Sequence, residues 1–260
     1  MQKIDFEKVS NINIDCVIGL GKDCRVAKNL KTNNLRFFSS PFDWVIQYKL
    51  EDDLFLLKNH GKTFFKNYKP DPQYNQKEKI GIVDIDNGMV SMHDFRANLP
   101  NKLNHLLFKH KYKKRFERLH KILQDAKNIC IVTSRQTNTT EILCFIEQFL
   151  QLYTFNRLYF INIYDINDKE SDEKLIETKK DNITILEYFF NDEHPNGREK
   201  NINPNFWLGN TDYWKKILTK ISLNETFKKK HTRRKIIILN KLENIFLSFM
   251  EFLYKLYRSK

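Results

Sequence analysis

The chain lacks any long apolar run. Nowhere do about 18 consecutive apolar residues occur, which is the length that a membrane-spanning helix needs. The first eleven residues, MQKIDFEKVSN, contain no apolar segment of the kind that marks a secretory signal peptide. The sequence therefore predicts a cytoplasmic protein that is soluble or held at the inner face of a membrane as a peripheral protein.

Cysteine is scarce, with four residues in a chain of 260. Three of them, Cys16, Cys130 and Cys144, lie within apolar strand or helix patterns, and no disulfide framework is evident. This usage fits a reducing compartment. Cys24 differs from the other three, because it follows a glycine-rich turn.

Glycine is also sparse, and none of the seven glycines belongs to a G-x-G-x-x-G or Walker-type phosphate loop. Cysteine and histidine do not cluster at the spacing of a metal site. The sequence contains no internal repeats. We therefore expect neither a nucleotide cofactor nor a bound metal.

Acidic residues are outnumbered by basic ones, 32 against 45, which gives a formal net charge of +13. Such an excess predicts an anionic partner, whether nucleic acid, an acidic glycan or a lipid surface, and composition alone does not choose among these. The hydrophobic content of 41% suffices for one domain of ordinary size or for one domain with an appendage.

Residues 14–30, IDCVIGLGKDCRVAKNL, join a strand pattern to a helix pattern. The β-branched run before Gly19 is typical of a buried strand, and Gly19 and Gly21 end it. Asp23 stands where an N-cap is expected, so a helix is predicted to begin at Cys24.

Cys24 would then lie among the free backbone N–H groups of a helix start, with Lys22 and Arg25 on either side. Helix N-termini and nearby cations stabilise a thiolate, so Cys24 is a candidate nucleophile, and Gly21, Lys22 and Arg25 are candidate substrate-binding residues. The same N–H groups could receive the oxyanion of an acyl-transfer intermediate or a phosphate. The alternative is an inert, buried thiol.

Three segments resemble a known bacterial family: LGKDC at 20–24, LRFFSSPFDW at 35–44 and HDF at 93–95. Its members are described as putative papain-like cysteine peptidases, and it is largely a domain of unknown function. The resemblance spans about residues 14–214 and implies a cysteine nucleophile with a downstream histidine. The strand, glycine and cysteine-helix entry is also similar, more weakly, to capsule-biosynthesis enzymes that transfer acyl groups.

The loop at 39–44 is rich in special residues. Proline keeps the preceding Ser40 extended, and the aromatic rings of Phe42 and Trp44 can anchor the loop so that it presents Ser40 or Asp43 to a cleft. The alternative is a packing plug in which Asp43 caps a helix. A short strand is predicted just before this loop, at 35–38.

Asn87-Gly88 between two extended runs predicts a β-hairpin, whose second strand ends at His93. Thiol peptidases need an imidazole to take the thiol proton and a third group to orient that imidazole. Asp94 would point to the opposite side of the strand from His93 unless the strand has ended, so Asp43 or a later polar residue is an equal candidate for the orienting role. His194, in a later polar loop, is the rival of His93, and a structural histidine is the alternative for both.

Residues 100–126 show a long helical pattern with a leucine-rich inward stripe and a strongly basic opposite face. The predicted inward residues are Leu103, Leu106, Leu107, Phe116, Leu119, Ile122 and Leu123. The basic face could contact an anionic ligand, or it could simply be solvated.

From residue 128 onward, strand and helix patterns alternate, which predicts a parallel sheet with helices on its faces. Ligands in such sheets bind beyond the carboxyl ends of the strands. Ser134 and Arg135 follow one of these strands and are therefore candidate rim residues for substrate binding.

The composition changes after residue 224. Residues 228–235, KKKHTRRK, hold six cations and no acid, and residues 225–260 carry +7 of the net charge. The apolar residues of 226–260 recur at helical spacing, so this tail predicts a basic amphipathic helix that binds an anionic membrane surface or a partner. The alternative is a final helix docked on the core.

Together these patterns predict an α/β domain at 1–224, doubly wound and largely parallel, with a basic helical appendage at 225–260. The favoured function is thiol-dependent acyl chemistry by Cys24 and His93, on an anionic substrate or glycan rather than on nucleic acid. One alternative is an acyltransferase that modifies a surface or capsular polysaccharide. The other is a non-catalytic anion-binding or scaffold protein. The oligomeric state does not follow from the sequence.

Overall fold

A computed structural model describes residues 3–166, 172–197, 199–201 and 203–232, together with positions 245 and 249. The strands are β1 (Ile12–Ile14), β2 (Cys16–Gly19), β3 (Val45–Ile46), β4 (Tyr68–Pro70), β5 (Lys79–Asp84), β6 (Val90–Arg96), β7 (Asn128–Thr133), β8 (Arg157–Asp165), β9 (Lys174–Lys180), β10 (Ile183–Phe190) and β11 (Ile221–Leu223). The helices are α1 (Cys24–Thr32), α2 (Leu50–Lys58), α3 (Asn101–Asp125), α4 (Thr139–Leu150), α5 (Thr211–Leu218) and α6 (Glu225–His231).

The central sheet has the strand order β2-β7-β8-β10-β9. Its first four strands are parallel, and β9 pairs antiparallel with β10. The predicted α/β class and the largely parallel character of this sheet are confirmed. The doubly wound arrangement is not confirmed, because the four parallel strands follow one another across the sheet in chain order.

Both faces of the central sheet are covered, as the near-continuous apolar strands require. Alternate residues of β7 show this: Ile129 and Ile131 join one core cluster, while Cys130 and Val132 join the other. Helices α2, α3 and α4 contribute to the first cluster, and α1 and α5 contribute to the second.

A second, antiparallel sheet has the order β3-β6-β5-β4. It contains the predicted hairpin, with Gly88 at φ +74° in the turn between β5 and β6. The strand predicted at 35–38 is wrong. The Arg36 side chain in this segment donates a hydrogen bond to the Asp43 carboxylate. The strand that pairs with β6 in this region is β3 instead.

Helix α3 spans nearly the whole predicted range, but the predicted inward stripe is only partly right in its first half, where Leu103 and Leu107 are half-buried. Leu106 is 66% exposed, whereas Asn104, Phe108 and Tyr112 are buried. These three follow one another at a spacing of four residues and continue into Phe116, so the face toward the core is the one they share. A basic helix therefore presents a tyrosine to the interior.

The start of the predicted tail is packed on the core. Phe227 of α6 is 9% exposed and belongs to the first core cluster, and Lys230 pairs with Asp125 at the end of α3 at 3.0 Å. Most of the predicted interfacial helix at 226–260 lies outside the described residues. Of its later part, Ile245 and Phe249 are described, and both are helical and exposed. No helix in the described part of the chain is long and apolar enough to cross a membrane.

The membrane-binding role of the tail stays a prediction, and the docking of α6 sharpens its test. A chain shortened to residues 1–232 keeps Phe227 and should retain its fold. We expect the full chain to float with anionic but not neutral vesicles at low salt, since each cation near such a surface contributes roughly 1 kcal/mol. The 1–232 chain should not float with either kind of vesicle. Equal flotation of both chains, or of neither, would contradict the prediction.

Candidate functional site

The turn before α1 has the predicted geometry. The Asp23 carboxylate caps the helix by accepting from the Arg25 backbone N–H at 2.8 Å, and Cys24 is the first helical residue, as predicted. A Cβ at Gly21 would stand 2.5 Å from the Val26 side chain, so only glycine lets the turn approach the helix this closely. The packing role of Gly21 is thus to place Cys24 at the end of β2.

Cys24 and His93 meet in the folded chain although 69 residues separate them. The Cys24 Sγ lies 3.5 Å from the His93 Nε2, within hydrogen-bond reach for a sulfur. The thiol comes from a helix that follows the central sheet, and the imidazole comes from β6 of the antiparallel sheet. The Cys–His pair therefore lies where these two parts of the fold meet.

A bulge in β6 presents His93. Ile80 of β5 pairs with Phe95 and Ile82 pairs with Ser91, so three residues of β6, 92–94, stand opposite the single residue Gly81. Bulges change the direction in which a strand presents a side chain. The sequence predicted His93 at a strand end, whereas the structure places it inside the strand, in this bulge.

The hydrogen-bond partners of Asp94 are in β6 and α3 and do not include His93. Its carboxylate accepts from the Ser91 hydroxyl at 2.9 Å and from the Tyr112 hydroxyl at 2.8 Å, and it pairs with the Lys111 ammonium. Burial would raise the pKa of Asp94, but the Lys111 ammonium and the Tyr112 hydroxyl lower it to about 2. The Asp94 carboxylate thus binds one residue of β6 and two residues of α3.

Asp43 also makes no hydrogen bond to His93. It is buried, accepts from the Ser40 N–H at 2.8 Å and pairs with Arg36 at 2.7 Å. Arg36 in turn lies over the Trp44 ring, 5.5 Å from its centroid, and the Trp44 ring meets the His93 ring edge-on at 6.1 Å between centroids. The expected hydrogen bond from an orienting carboxylate is therefore not found for either candidate, and packing against Trp44 restrains the imidazole instead.

The expectation that the surroundings of Cys24 favour the thiolate is wrong. Burial raises the pKa of the Cys24 thiol to about 12, and the nearby carboxylates of Asp23, Asp43 and Asp94 act in the same direction. The adjacent cations do not reverse this. Lys22 is exposed, and the Arg25 guanidinium is paired with Asp192.

Arg25 is instead engaged with the loop after β10. Its guanidinium pairs with Asp192 at 2.5 Å and donates to the Trp207 carbonyl at 2.8 Å. Asp192 is itself buried and also accepts from the indole N–H of Trp214 at 3.0 Å. Arg25 therefore fastens α1 to this loop, and its charge is compensated there.

Desolvation lowers the pKa of His93 below its usual value, assisted by Lys111 and Lys79, while Asp94 opposes the shift. A thiol with a pKa near 12 and an imidazole with a lowered pKa are both uncharged at neutral pH. The resting pair is consequently a neutral thiol beside a neutral base, ready for proton transfer during attack.

A family model with the description "Putative papain-like cysteine peptidase (DUF1796)" matches residues 15–163, more than half of the chain. The chain belongs to this family. Comparisons with curated proteins and with solved structures gave no match. The family description indicates a hydrolase, and nothing in the comparisons supports the acyltransferase alternative.

The match to the cysteine peptidase family contains both Cys24 and His93, whereas His194 lies outside it. In the structure the His194 Nδ1 accepts from the Asn196 backbone N–H at 3.1 Å, which stabilises a local turn. Cys24 contacts His93 and not His194.

Four predicted binding residues share one small cavity of about 50 Å³ at the carboxyl ends of the parallel strands. The predicted residues and the carboxylates that line it are Lys22, Arg25, Ser134, Arg135, Asp23 and Asp165. Because Arg25 and Arg135 are each paired with a carboxylate, the charge around this cavity is mixed. Cys24 and His93 do not line it, so their chemistry would take place beside the cavity.

Ser40 and Trp44, two predicted binding residues of the loop at 39–44, have different surroundings in the structure. The Ser40 hydroxyl is buried and accepts from the Phe42 N–H at 3.3 Å, so it holds the loop together and is not presented to a cleft. Trp44 remains half-buried against His93. The role predicted for Ser40 therefore has no support from its position, whereas Trp44 packs against His93.

Sequence reasoning missed Arg36 and Tyr112, and it counted Lys111 and Arg115 only as part of the basic face of α3. Arg115 lies over the Tyr112 ring at 4.8 Å and acts on the charges of both Asp43 and Asp94. The four-residue spacing of Asn104, Phe108 and Tyr112 was a signal that could have placed Tyr112 inward. The partners of Arg36 and Lys111 could not be deduced from a local pattern.

Proposed function

We propose that the protein hydrolyses an amide bond of a peptide-like substrate, with Cys24 as nucleophile and His93 as general base. The observation that carries this proposal is the 3.5 Å contact between the Cys24 Sγ and the His93 Nε2. A nucleophile within hydrogen-bond reach of its base is the geometry that thiol acyl chemistry needs. Membership of a family described as papain-like cysteine peptidases favours hydrolysis.

In the first half of the reaction, the Cys24 sulfur attacks the substrate carbonyl carbon while its proton passes to the His93 Nε2. The tetrahedral intermediate then collapses, the carbon–nitrogen bond breaks, and the imidazolium donates that proton to the leaving amine. The acyl group remains on the sulfur as a thioester.

In the second half, His93 takes a proton from water as the oxygen attacks the thioester carbon. The carbon–sulfur bond breaks, and the proton returns from His93 to the Cys24 thiolate. The balance is one amide and one water consumed, and one carboxylic acid and one amine released.

The oxyanion of each tetrahedral intermediate needs donors, and the backbone N–H groups at the start of α1 are the candidates that we propose. Cys24 is the first residue of this helix, so its N–H has no partner within the helix. Donors aimed at a developing oxyanion in a water-poor site contribute strongly to rate.

The electrostatics of the pair predict how the rate depends on pH. His93 must be neutral to act as base. Its lowered pKa keeps the imidazole neutral down to a pH below the usual titration range of histidine. The rate should rise as pH increases through this lowered pKa and then stay level across neutrality. The high pKa of Cys24 implies that no thiolate accumulates there.

The experiment is peptide profiling. The chain is incubated with a peptide library that includes acidic sequences, because the net charge of +13 favours an anionic substrate. We expect new peptide termini and a transient acyl adduct mapped by mass spectrometry to Cys24. The Cys144→Ser variant, which alters an exposed cysteine outside the site, should cleave normally. Absence of cleavage together with absence of an adduct would refute the proposal.

A further inference from the structure

The bulge in β6 is closed by one side chain, Asp94. Its carboxylate reaches back three residues to the Ser91 hydroxyl at 2.9 Å and so spans the extra residues of the strand. From the other side, the Tyr112 hydroxyl donates to the same Asp94 oxygen at 2.8 Å, and the Lys111 ammonium pairs with the second oxygen. Both carboxylate oxygens are therefore held, one of them by α3 alone.

We propose that Lys111 and Tyr112 of α3 are positioning residues for His93, acting through Asp94; this inference rests on the proposed general-base role of His93. His93 directly precedes Asp94 in the bulge, so the backbone that carries the imidazole is fixed when the Asp94 carboxylate is fixed. Lys111 and Tyr112 bond to Asp94 rather than to His93, so their effect on the position of the imidazole passes through the bulge, while the Lys111 charge also acts on His93 through space.

The packing around this contact makes α3 a rigid support. Tyr112 is 2% exposed, and its ring centroid lies 4.3 Å from the ring centroid of Phe108 and 4.7 Å from that of Phe64. The hydroxyl therefore has a fixed position from which to hold Asp94. A reacting group displaced by about 1 Å can lose on the order of 100-fold in rate, so a fixed support of this kind matters for the imidazole.

The opposite side of the bulge is also closely packed. A Cβ at Gly81, the residue that faces the bulge, would lie 2.4 Å from the Tyr74 side chain and 2.7 Å from the Tyr74 backbone. The strand opposite His93 is thus confined between Tyr74 and β6. The bulge is held from β5 on one side and from α3 on the other.

The two positioning residues differ in what their removal should do. The groups that act on the His93 charge are Asp94 on β6, Lys111 on α3 and Lys79 on β5, with the Cys24 thiol facing the ring. Loss of Lys111 removes a positive charge and leaves Asp94 less compensated, so the pKa of His93 should rise. Tyr112→Phe keeps every charge and most of the packing, so it tests position alone.

The test uses the full chain carrying Cys144→Ser, so that the exposed thiol does not consume reagent. The His93 pKa is measured by NMR titration, and the alkylation rate of Cys24 by iodoacetamide is followed against pH. We expect Tyr112→Phe to slow Cys24 alkylation at pH 7 on the order of 10- to 100-fold. Lys111→Met should shift the His93 titration and the alkylation profile to higher pH, and Lys111→Arg should restore both.

The matched control is Lys113→Met, which removes a cation from the same helix at an exposed position. It should leave both readouts unchanged. Unaltered alkylation in Tyr112→Phe, or equal shifts in Lys111→Met and Lys113→Met, would overturn the inference. These readouts need no substrate, so a chain that shows the expected shifts but neither cleaves a peptide nor forms an acyl adduct would refute the hydrolytic proposal and leave the positioning role standing.

Discussion

Replacement of Cys24 by alanine is expected to lower kcat/KM for peptide cleavage by about 10³-fold or more, since it removes the atom that forms the thioester. His93→Ala should have an effect of similar size, because a thiol whose pKa is raised by burial needs its base in order to react at neutral pH. The two losses should not add. The double variant should be no slower than either single variant, as is typical of residues that act as one unit.

The control for this experiment is Cys16→Ala, in which the replaced thiol is fully buried in the core and cannot reach a substrate. Cleavage by this variant should persist at the wild-type rate, even if its stability falls. The measurement is the initial rate of cleavage with the best peptide from profiling. Full activity in Cys24→Ala would show that another group performs the chemistry, and multiplicative losses in the double variant would show that Cys24 and His93 do not act as a pair.

The second large effect concerns stability. Arg135 and Asp53 form an ion pair at 2.7 Å with side chains only 2% and 1% exposed, and Arg135 also approaches the Gly21 carbonyl at 3.5 Å. Removal of one member of a buried pair leaves the other charged group without compensation, which typically costs about 3–5 kcal/mol. We therefore expect Arg135→Met to lower the free energy of unfolding by roughly that amount at pH 7.5.

The pH dependence of this loss follows from Asp53. Burial already raises the pKa of Asp53 to about 6, and removal of Arg135 should raise it further. An acid whose folded pKa exceeds its unfolded value destabilises the fold as pH rises between the two values. The deficit of Arg135→Met should thus be smaller at pH 5 than at pH 7.5, as measured by urea unfolding monitored by circular dichroism.

The double variant Arg135→Met with Asp53→Leu serves as the control, because replacement of a whole buried pair by apolar residues is often close to neutral. It should recover most of the lost stability. If Arg135→Met instead folds with wild-type stability and only impairs substrate binding, then Arg135 is a binding residue, as its position at the strand end first suggested. The structure favours the ion pair, which joins the end of β7 to α2 and to the cysteine turn.

Several features of the site were accessible from local sequence. The glycines around the cysteine turn and the N-cap Asp23 predicted the start of α1, and Asn87-Gly88 predicted the hairpin that carries His93. These signals act within a few residues, so no knowledge of the rest of the fold is needed. The pairing of Cys24 with His93 rested on the family resemblance, because a distance across 69 residues has no local signal.

The electrostatics of the site could not be predicted in the same way. The neighbours in sequence predicted that Lys22 and Arg25 favour the thiolate, yet Arg25 is bound to Asp192, a residue 167 positions away. The carboxylates that act on Cys24 come from the cap, the loop at 39–44 and β6. A charge acts through space and through its burial, and neither can be obtained from the order of residues along the chain.

The sequence by itself determined the start of the helix at Cys24, the hairpin that carries His93 and the largely parallel central sheet, because apolar periodicity, capping and turn chemistry are written in neighbouring residues. Only the tertiary structure decided which partner each acidic residue of the site binds. It assigned Asp43 to Arg36 and Asp94 to α3, and it left the imidazole against Trp44. The physical reason is that buried polar groups must find partners, and packing determines which partners lie within reach.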